Sequence, residues 1–489
     1  MGERANKRSF TQGGRGDGRG RGGYGGRGGG ARGGNQRGKG ASPARMAALE
    51  TVRTLRERDA FAQEVMARTV DQARLTPEDR AFATRLVLGV VSTRGTLNEV
   101  LDRCMRSPHD VNDDVRDALQ ISAYEIIFLD KSPHAAVDQG VELVRSVAPR
   151  AGGVANAVLR KVVSAKRAFP FGDPSTDIEA YARLHGFPLW LVKRLIADMG
   201  ATEAHNLVKT SNEPAPVYVA VNACAARDSE VVEVLADAHG EPKPVEVDGA
   251  PVEGCYRIAD GRVLLDGRVK RLINNGCLLV SDAASQAVAA LALPHARPAS
   301  FLEIGAGRGT KTILLQSNAC RRWGAQVDDY VALDNRGFKT SLLTDRARDY
   351  GVQLASAVTG DAAHLDEAIG ERAFDAVFID APCSGLGTLR RHPEIRWRLR
   401  PETITEHADL GFQMLESASA HVAPGGMLAF ATCTVLPEEN AHAVARFLKS
   451  PAGASFELVP VNGKAAFATQ VTSGGNDAHF CAILRSVRC

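Results

Sequence analysis

The chain has 489 residues, 44% of them hydrophobic, and 60 Lys and Arg residues nearly balance 57 Asp and Glu residues, giving a formal net charge of +3. It contains no apolar run near the roughly 18 residues that a membrane span requires, and its N-terminus lacks the apolar segment of a secretory signal, so we expect a soluble, cytoplasmic protein. Nine cysteines without a CxxC pair, and no HExxH or clustered Cys/His ligands, argue against a disulfide framework and against a metal site.

Residues 1–43 form an Arg/Gly-rich tail. The first forty residues carry eight Arg and two Lys against Glu3 and Asp17, which leaves the rest of the chain slightly acidic. With seventeen glycines and little to bury, the tail is predicted to be disordered. Arginine supplies both a charge and a stacking plane, so we expect this tail to contact RNA without sequence preference. The alternative is a solubilising tail without a partner.

Residues 44–168 show a helical pattern. Thr76-Pro77-Glu78-Asp79 predicts a helix start, with Thr as the cap, Pro in the first position and acids in the first turn. Three apolar stripes at helical spacing are typical of core-facing helices. They consist of Phe82, Leu86, Gly89 and Val90, of Val137, Val141, Val144 and Ala148, and of Val154, Val158 and Val162. We therefore predict a compact all-α domain.

Residues 169–275 give mixed signals. The run Leu189-Trp190-Leu191-Val192, with Leu195, predicts one helix, and Val217-Tyr218-Val219-Ala220-Val221 predicts a strand. We expect a small α+β connector here, and the residues suggest no chemistry for it.

From 276 to 489, short apolar runs alternate with helical segments. The runs are residues 301–304, 330–333, 376–379 and 427–431. Such runs are typical of buried parallel strands, so we predict a doubly wound, Rossmann-like α/β domain.

A glycine-rich turn, Gly305-Ala306-Gly307-Arg308-Gly309, follows the first of these strands. Its glycines let the backbone approach a ligand closely, but NAD, FAD, S-adenosylmethionine (SAM) sites and some structural turns share this pattern. Asp334 ends the next strand, where a carboxylate can grip a ribose hydroxyl pair. Asp361 is expected on the adenine side and Asp380 on the methionine or substrate side. A helix cap or a loop residue is the alternative for each acid.

Two cysteines lie where predicted strands end, in Asp380-Ala381-Pro382-Cys383 and in Ala431-Thr432-Cys433-Thr434. The carboxyl ends of strands are the usual position of chemistry in an open α/β sheet. Two thiols beside a nucleotide-type cofactor suggest covalent catalysis on an electrophile. The alternative is that both are inert core residues, because Cys is often buried.

The densest basic stretch of the folded part covers residues 389–398 and includes one tryptophan. It predicts phosphate contact combined with stacking, and a charged helix face is the alternative. The candidate RNA-binding residues are Arg390, Arg391, His392, Arg396 and Arg398.

The segments DAPCSGLGTLRRHPEIRWR and ATCTVLPEEN resemble the RNA cytosine-5 methyltransferases of the bacterial Fmu/Sun type and their eukaryotic nucleolar relatives. Residues 131–137 and 156–160 are similar to the NusB-like RNA-binding domain that the 16S rRNA members carry. The resemblance covers about residue 44 to the end. It implies a Rossmann-like SAM-dependent methyltransferase domain, preceded by an all-α NusB-like domain and the small α+β connector.

The resemblance also implies a function: SAM-dependent methylation of carbon 5 of a cytosine in RNA, most directly 16S rRNA. We expect the enzyme to be a monomer and to bind no metal. Cys433 would be the nucleophile and Cys383 the helper in product release. Asp380, if protonated, would stabilise the charge that develops at ring nitrogen 3. The SAM-binding residues would be Gly305, Ala306, Gly307, Arg308, Gly309, Thr310, Lys311, Asp334, Asp361 and Asp380. The family's loop usually reads Cys-Ala-Ala-Pro-Gly-Gly-Lys, so Arg308 replaces a proline here.

Other functions fit the residues less well. A DNA cytosine methyltransferase uses the Pro-Cys cysteine, which would leave the Thr-Cys-Thr segment around Cys433 unexplained. A catalytically idle RNA-binding or ribosome-assembly factor is expected to have lost Cys433, Asp380 or the glycine loop, and all are present. An NAD-dependent Rossmann enzyme needs neither cysteine. The sequence leaves open whether rRNA or tRNA is the substrate.

Overall fold

The computed structural model describes residues 40–58, 60–129 and 131–488. All but the last few residues of the Arg/Gly-rich tail therefore lie outside the described residues. The described residues belong to one unit of the chain, which begins at Gly40.

The N-terminal part of this unit is helical. Its helices are α1 (Pro43–Glu57), α2 (Ala62–Thr69), α3 (Pro77–Cys104), α4 (Asp113–Ile127), α5 (Pro133–Val147) and α6 (Gly152–Ala165). The predicted start of α3 is confirmed, because Thr76 is its N-cap and its hydroxyl accepts a hydrogen bond from the Asp79 N–H at 3.2 Å. The apolar faces of these helices bury one common core.

The prediction that all three valines of the third stripe face the core is wrong for Val154. Val154 is 60% exposed, whereas Val158 and Val162 of the same stripe are buried. Residues four apart drift around a helix by roughly 40° per step, so this row leaves the buried face of α6 at its N-terminal end.

A second part follows, with five helices and a small sheet. Its elements are α7 (Ile178–His185), α8 (Leu189–Met199), α9 (Ala201–Thr210), β1 (Val217–Val221), α10 (Asp228–Asp237), β2 (Lys243–Val247), β3 (Ala250–Ile258), α11 (Gly267–Asn274) and β4 (Leu278–Val280). The sheet has the antiparallel order β2-β3-β1-β4. The predicted strand 217–221 is confirmed. Its partner β4 lies just beyond residue 275, where we expected the next domain to begin.

The C-terminal part alternates strands and helices. Its elements are α12 (Ala283–Leu291), β5 (Ser300–Ile304), α13 (Thr310–Trp323), β6 (Asp329–Asp334), α14 (Gly337–Asp349), β7 (Ser356–Thr359), α15 (Leu365–Ile369), β8 (Phe374–Asp380), α16 (Ile395–Arg398), α17 (Pro401–Ala420), β9 (Val422–Thr432), α18 (Ala441–Leu448), β10 (Phe456–Val459), β11 (Phe467–Ala468) and β12 (Phe480–Ser486). None of the described helices, from α1 to α18, is long and apolar enough to cross a bilayer.

The large sheet has the order β10-β12-β9-β8-β5-β6-β7, with β11 paired to β12. The strands from β9 to β7 are parallel, whereas β12 and β10 add an antiparallel edge. Apolar clusters cover both faces, so the predicted Rossmann-like fold is confirmed. The strand order reverses between β5 and β8, and a crevice at such a switch point is where open α/β sheets bind ligands.

Candidate active site

The glycine-rich turn lies at this switch point, between the end of β5 and the start of α13. Gly305 has φ +79°, and a Cβ atom there would lie 2.4 Å from the carbonyl oxygen of Asp380. Only glycine permits this approach, so the ends of β5 and β8 can lie side by side. Gly309, with φ +81°, precedes the first turn of α13, where free backbone N–H groups favour an anionic ligand group.

A cavity of about 340 Å³ opens beside this turn, at the carboxyl ends of β5, β6 and β8. Five predicted cofactor residues line it, namely Gly305, Gly307, Asp334, Asp361 and Asp380. The other five predicted cofactor residues, which do not line it, are Ala306, Arg308, Gly309, Thr310 and Lys311. The volume falls in the range of small-molecule sites, and three carboxylates beside a glycine cradle fit a nucleoside that carries hydroxyl and amine groups.

Asp334 is buried at the end of β6 and already has backbone partners. Its Oδ2 accepts a hydrogen bond from the Gly307 N–H at 3.0 Å, and its Oδ1 accepts one from the Arg336 N–H at 3.0 Å. Asp334 therefore holds the glycine turn in place besides facing the cavity. Asp361 is exposed, and its Oδ1 accepts a hydrogen bond from the Ala363 N–H at 2.9 Å.

Lys311 and Asp380 form an ion pair next to the cavity. The Lys311 Nζ donates to Asp380 Oδ2 at 2.6 Å, and the Lys311 side chain is only 12% exposed. Burial lowers the pKa of Lys311, but the charge of Asp380 and this hydrogen bond, helped by Cys433 and Glu303, more than offset it, so the net pKa is raised. Lys311 thus keeps its proton. The sequence placed both residues near the cofactor but did not show that they pair.

The two cysteines meet at the same edge of the sheet. Because β8 and β9 are parallel with Asp380 opposite Ala431, Cys383 and Cys433 follow neighbouring strand ends. Their sulfur atoms are 3.4 Å apart, and the Cys433 N–H donates to the Cys383 sulfur at 3.3 Å. The hydrogen bond with Cys433, followed by burial and by the charges of Cys433 and Glu439, raises the pKa of Cys383 well above its usual range. Cys383 therefore stays a thiol and can donate to the Cys433 sulfur.

A buried polar network ties the two cysteine loops together. Glu439 accepts hydrogen bonds from the Ser384 N–H at 2.6 Å and from the Ser384 hydroxyl at 2.5 Å. The Ser384 hydroxyl also lies 2.7 Å from the hydroxyl of Thr434. Asn440 donates to the Thr434 carbonyl oxygen at 3.0 Å and accepts from the Thr432 hydroxyl. Sequence reasoning gave Glu439 and Asn440 no role, although both belong to the ATCTVLPEEN segment that carried the resemblance.

The structure contradicts the prediction that Arg390 and Arg396 contact RNA. The side chain of Arg390 is 0% exposed and pairs with Asp477 at 3.1 Å while donating to three backbone carbonyl groups. Arg396 is also 0% exposed; it donates to Asn212 Oδ1 at 2.8 Å and lies 4.1 Å from the centre of the Phe187 ring. Burial lowers the pKa of Arg396 to about 9. Both guanidinium groups are part of the interior.

The other three residues of this prediction also have protein partners. Arg391 bridges Asp282 at 2.9 Å and Asp477 at 2.7 Å. The His392 ring lies 4.6 Å from the Phe61 ring, and burial, with the charge of Arg391, lowers its pKa to about 4. Arg398 is exposed and donates to the Ala60 carbonyl oxygen at 2.7 Å. An RNA contact by Arg398 stays a prediction.

Trp397 explains why this stretch carries an aromatic residue. Its indole N–H donates to the Ser92 carbonyl oxygen on α3 at 2.8 Å. Its ring lies against Gly95, where a Cβ atom would be 2.1 Å from the ring. The basic stretch is thus largely an interface between the two cysteine loops and the helical part. Within residues 40–58, 60–129 and 131–488, no group of three His, Cys, Asp or Glu side chains could hold a metal ion.

Three family profiles match successive parts of the chain. The NusB family matches residues 42–164, the RsmF/B-like methyltransferase ferredoxin-like domain matches residues 187–250, and the 16S rRNA methyltransferase RsmB/F family matches residues 290–485.

Individual proteins are similar over most of their length. A Mycobacterium tuberculosis protein that carries the provisional name of a methyltransferase is 31% identical over 420 residues, which cover 83% of this chain and 87% of that protein. Ribosomal RNA small subunit methyltransferase B of Salmonella paratyphi B is 29% identical over 388 residues, which cover 77% of this chain and 84% of that protein. The crystal structure of the protein designated PH0851 shares the fold with a TM-score of 0.76 at 22% identity, covering 91% of this chain and 100% of that one.

Proposed function

The chain belongs to the RsmB/F family of SAM-dependent rRNA methyltransferases, and on that premise we propose that it methylates carbon 5 of a cytosine in 16S rRNA through a covalent bond between Cys433 and carbon 6. One observation carries this proposal: the Cys433 sulfur lies 3.4 Å from the Cys383 sulfur, beside the end of β8, where Asp380 pairs with Lys311 of α13. A binding protein without catalysis would not need this arrangement of two thiols and an ion pair beside a nucleoside-sized cavity.

The target carbon explains the need for a thiol nucleophile. Carbon 5 of cytosine is too weak a nucleophile to react with a methyl donor directly. Addition of the Cys433 thiolate to carbon 6 converts the ring into an enamine, which makes carbon 5 nucleophilic. SAM, bound in the cavity, supplies the electrophilic methyl group.

Lys311 and Asp380 supply the charge balance for this addition. Negative charge develops at ring nitrogen 3 when Cys433 attacks, and a prepositioned donor there lowers the barrier. Lys311 keeps its proton and donates a hydrogen bond to Asp380 Oδ2, so its positive charge stays beside Asp380. That charge stabilises the negative charge at nitrogen 3, and the stabilising group is then the ion pair rather than Asp380 alone.

The two thiols act in sequence. Before the addition, the hydrogen bond with Cys433 and the charge of Cys433 raise the pKa of Cys383 and keep Cys383 protonated. Once Cys433 is bonded to carbon 6, those two causes disappear, and Cys383 loses its proton more readily. Cys383 can then act as the base that removes the carbon 5 proton, which lets the ring expel Cys433.

The substrate requires an accessible base. A cytosine must be unpaired or flipped out of a helix to reach Cys433. We propose that the NusB-like helical part and the Arg/Gly-rich tail hold the RNA, and that the enzyme works as a monomer in the cytoplasm.

The second candidate is the mechanism of the DNA cytosine methyltransferases, in which Cys383 would be the nucleophile. One experiment tests both candidates.

The test is a denaturing gel with RNA that contains 5-fluorocytosine, which traps the covalent adduct. Cys433→Ala is expected to abolish methylation and the adduct. Cys383→Ala is expected to form the adduct and to accumulate it on unmodified RNA as well, because product release is blocked. If Cys383→Ala loses the adduct and Cys433→Ala retains it, the nucleophile is Cys383. If wild-type enzyme forms no adduct even with the trapping RNA, covalent catalysis is wrong.

A further inference from the structure

Arg308 connects the glycine turn to the helical part of the molecule. Its side chain leaves the turn and meets Glu64 of α2 with both terminal nitrogens: Nη1 lies 2.5 Å from Oε1, and Nη2 donates to Oε2 at 3.0 Å. Two parallel bonds between a guanidinium and a carboxylate fix orientation as well as distance. The two residues are 244 positions apart in the chain.

The helix that carries Glu64 is itself held in place by the loop that follows Cys383. It lies in the first turn of α2, where a negative charge is stabilised by the helix dipole. The Ala62 N–H at the start of α2 donates to the buried Glu394 Oε1 at 2.7 Å. The Phe61 ring, one residue earlier, packs against His392. The carboxylate therefore projects from a helix whose start is bonded to the loop that follows Cys383.

The glycine turn needs such external support. Gly305, Gly307 and Gly309 have φ values of +79°, +59° and +81°, and ordering glycine costs more chain entropy than ordering any other residue. From one side, Arg346 of α14 donates to the Arg308 carbonyl oxygen at 2.8 Å. From the other side, Glu64 holds the Arg308 side chain. Together, these two contacts hold the backbone and the side chain of Arg308.

We propose that Glu64 is a positioning residue for the cofactor: through Arg308 it holds turn 305–309 in the conformation that binds SAM, although Glu64 does not line the SAM cavity. This inference rests on SAM binding at that cavity, as proposed above. It predicts that removing the Glu64 charge raises the KM for SAM and leaves kcat at saturating SAM unchanged. It also accounts for an arginine at the position where the family's loop has proline. The Arg308–Glu64 ion pair would restrict the backbone of the turn in place of the proline ring.

The test measures SAM affinity of the full-length protein by calorimetry at low salt, for wild type, Glu64→Gln, Arg308→Gln and the double variant. Glu64→Gln is expected to weaken SAM binding roughly threefold to fivefold, the upper range for a partly exposed pair of good geometry, with an unchanged melting temperature. The double variant should be no weaker than Arg308→Gln alone, and the exchange Glu64→Arg with Arg308→Glu should recover most of the loss. Glu78→Gln, at an exposed glutamate in the first turn of α3, is the matched control and should bind SAM normally.

Wild-type affinity for SAM in Glu64→Gln would overturn the proposal. So would losses that simply add in the double variant, since independent effects mean that the two residues do not act as a pair. If instead the proposed SAM site itself is wrong, the result is different: wild-type protein would bind no SAM, and Asp334→Ala would not change the SAM affinity. Salt gives a further readout, because 1 M NaCl should bring wild type close to Glu64→Gln by screening the pair.

Discussion

Asp477→Asn should destabilise the protein, because Asp477 neutralises two arginines in the interior. Its Oδ1 lies 3.1 Å from Arg390 and its Oδ2 2.7 Å from Arg391, and the side chains of Asp477 and Arg390 are 1% and 0% exposed. Removing one partner of a buried pair costs about 3–5 kcal/mol. Arg390 retains three backbone carbonyl acceptors and Arg391 retains Asp282, so we expect the lower end, about 3 kcal/mol.

The assay is urea unfolding of the full-length protein, with RNA binding measured in parallel. Asp345→Asn is the control, since its pair with Arg348 is 59% and 72% exposed and should cost less than about 0.5 kcal/mol. A different result would refute the reasoning: if Arg390 and Arg391 serve RNA, Asp477→Asn would free them, and RNA affinity would rise at unchanged stability.

Two further predictions concern the cofactor turn. Asp334→Ala should weaken SAM binding by about 1.5–3 kcal/mol through loss of charge-assisted hydrogen bonds, and calorimetry showing unchanged affinity would remove Asp334 from the site. Glu303, fully buried below the turn, has its pKa raised to about 7 from 4.5 by burial, against hydrogen bonds from Thr312 and Tyr330. The folded state therefore holds this proton more tightly than the unfolded chain, so Glu303 should cost roughly 3 kcal/mol of stability as pH rises from about 4.5 through 7. The free energy of unfolding of Glu303→Gln, measured at pH 5 and pH 8, should not show this loss. A pH dependence equal to that of wild type would contradict the prediction.

The sequence predicted the features that short stretches of chain determine. Apolar runs of four or five residues located β5, β6 and β8, and strand ends located Cys383, Cys433, Asp334 and Asp380. These predictions succeed because a buried parallel strand needs a continuous apolar run, and because all such strands present their carboxyl ends at one edge.

The failures involve partners that are distant in the chain. Arg390 and Arg396 have the same residue type as a phosphate-binding cation, and only the buried Asp477, 87 positions away, and Asn212, 184 positions away, decide their role. The Lys311–Asp380 pair and the Glu439 network are long-range contacts of the same kind. Composition and spacing carry no information about such contacts, since they form only when the strands are in register.

The contact of Trp397 with α3 determines where the chain can be divided. Trp397 belongs to the segment between Cys383 and Cys433, yet its indole N–H bonds to Ser92 and its ring lies against Gly95, both in the N-terminal helical part. A catalytic fragment expressed from residue 276 onward would expose this ring and leave its N–H without the Ser92 carbonyl. A chimaera that exchanges the helical part for another would have to carry over the surface around Gly95 as well. A cut between the helical part and the methyltransferase part would therefore remove the contacts of Trp397 with Ser92 and Gly95.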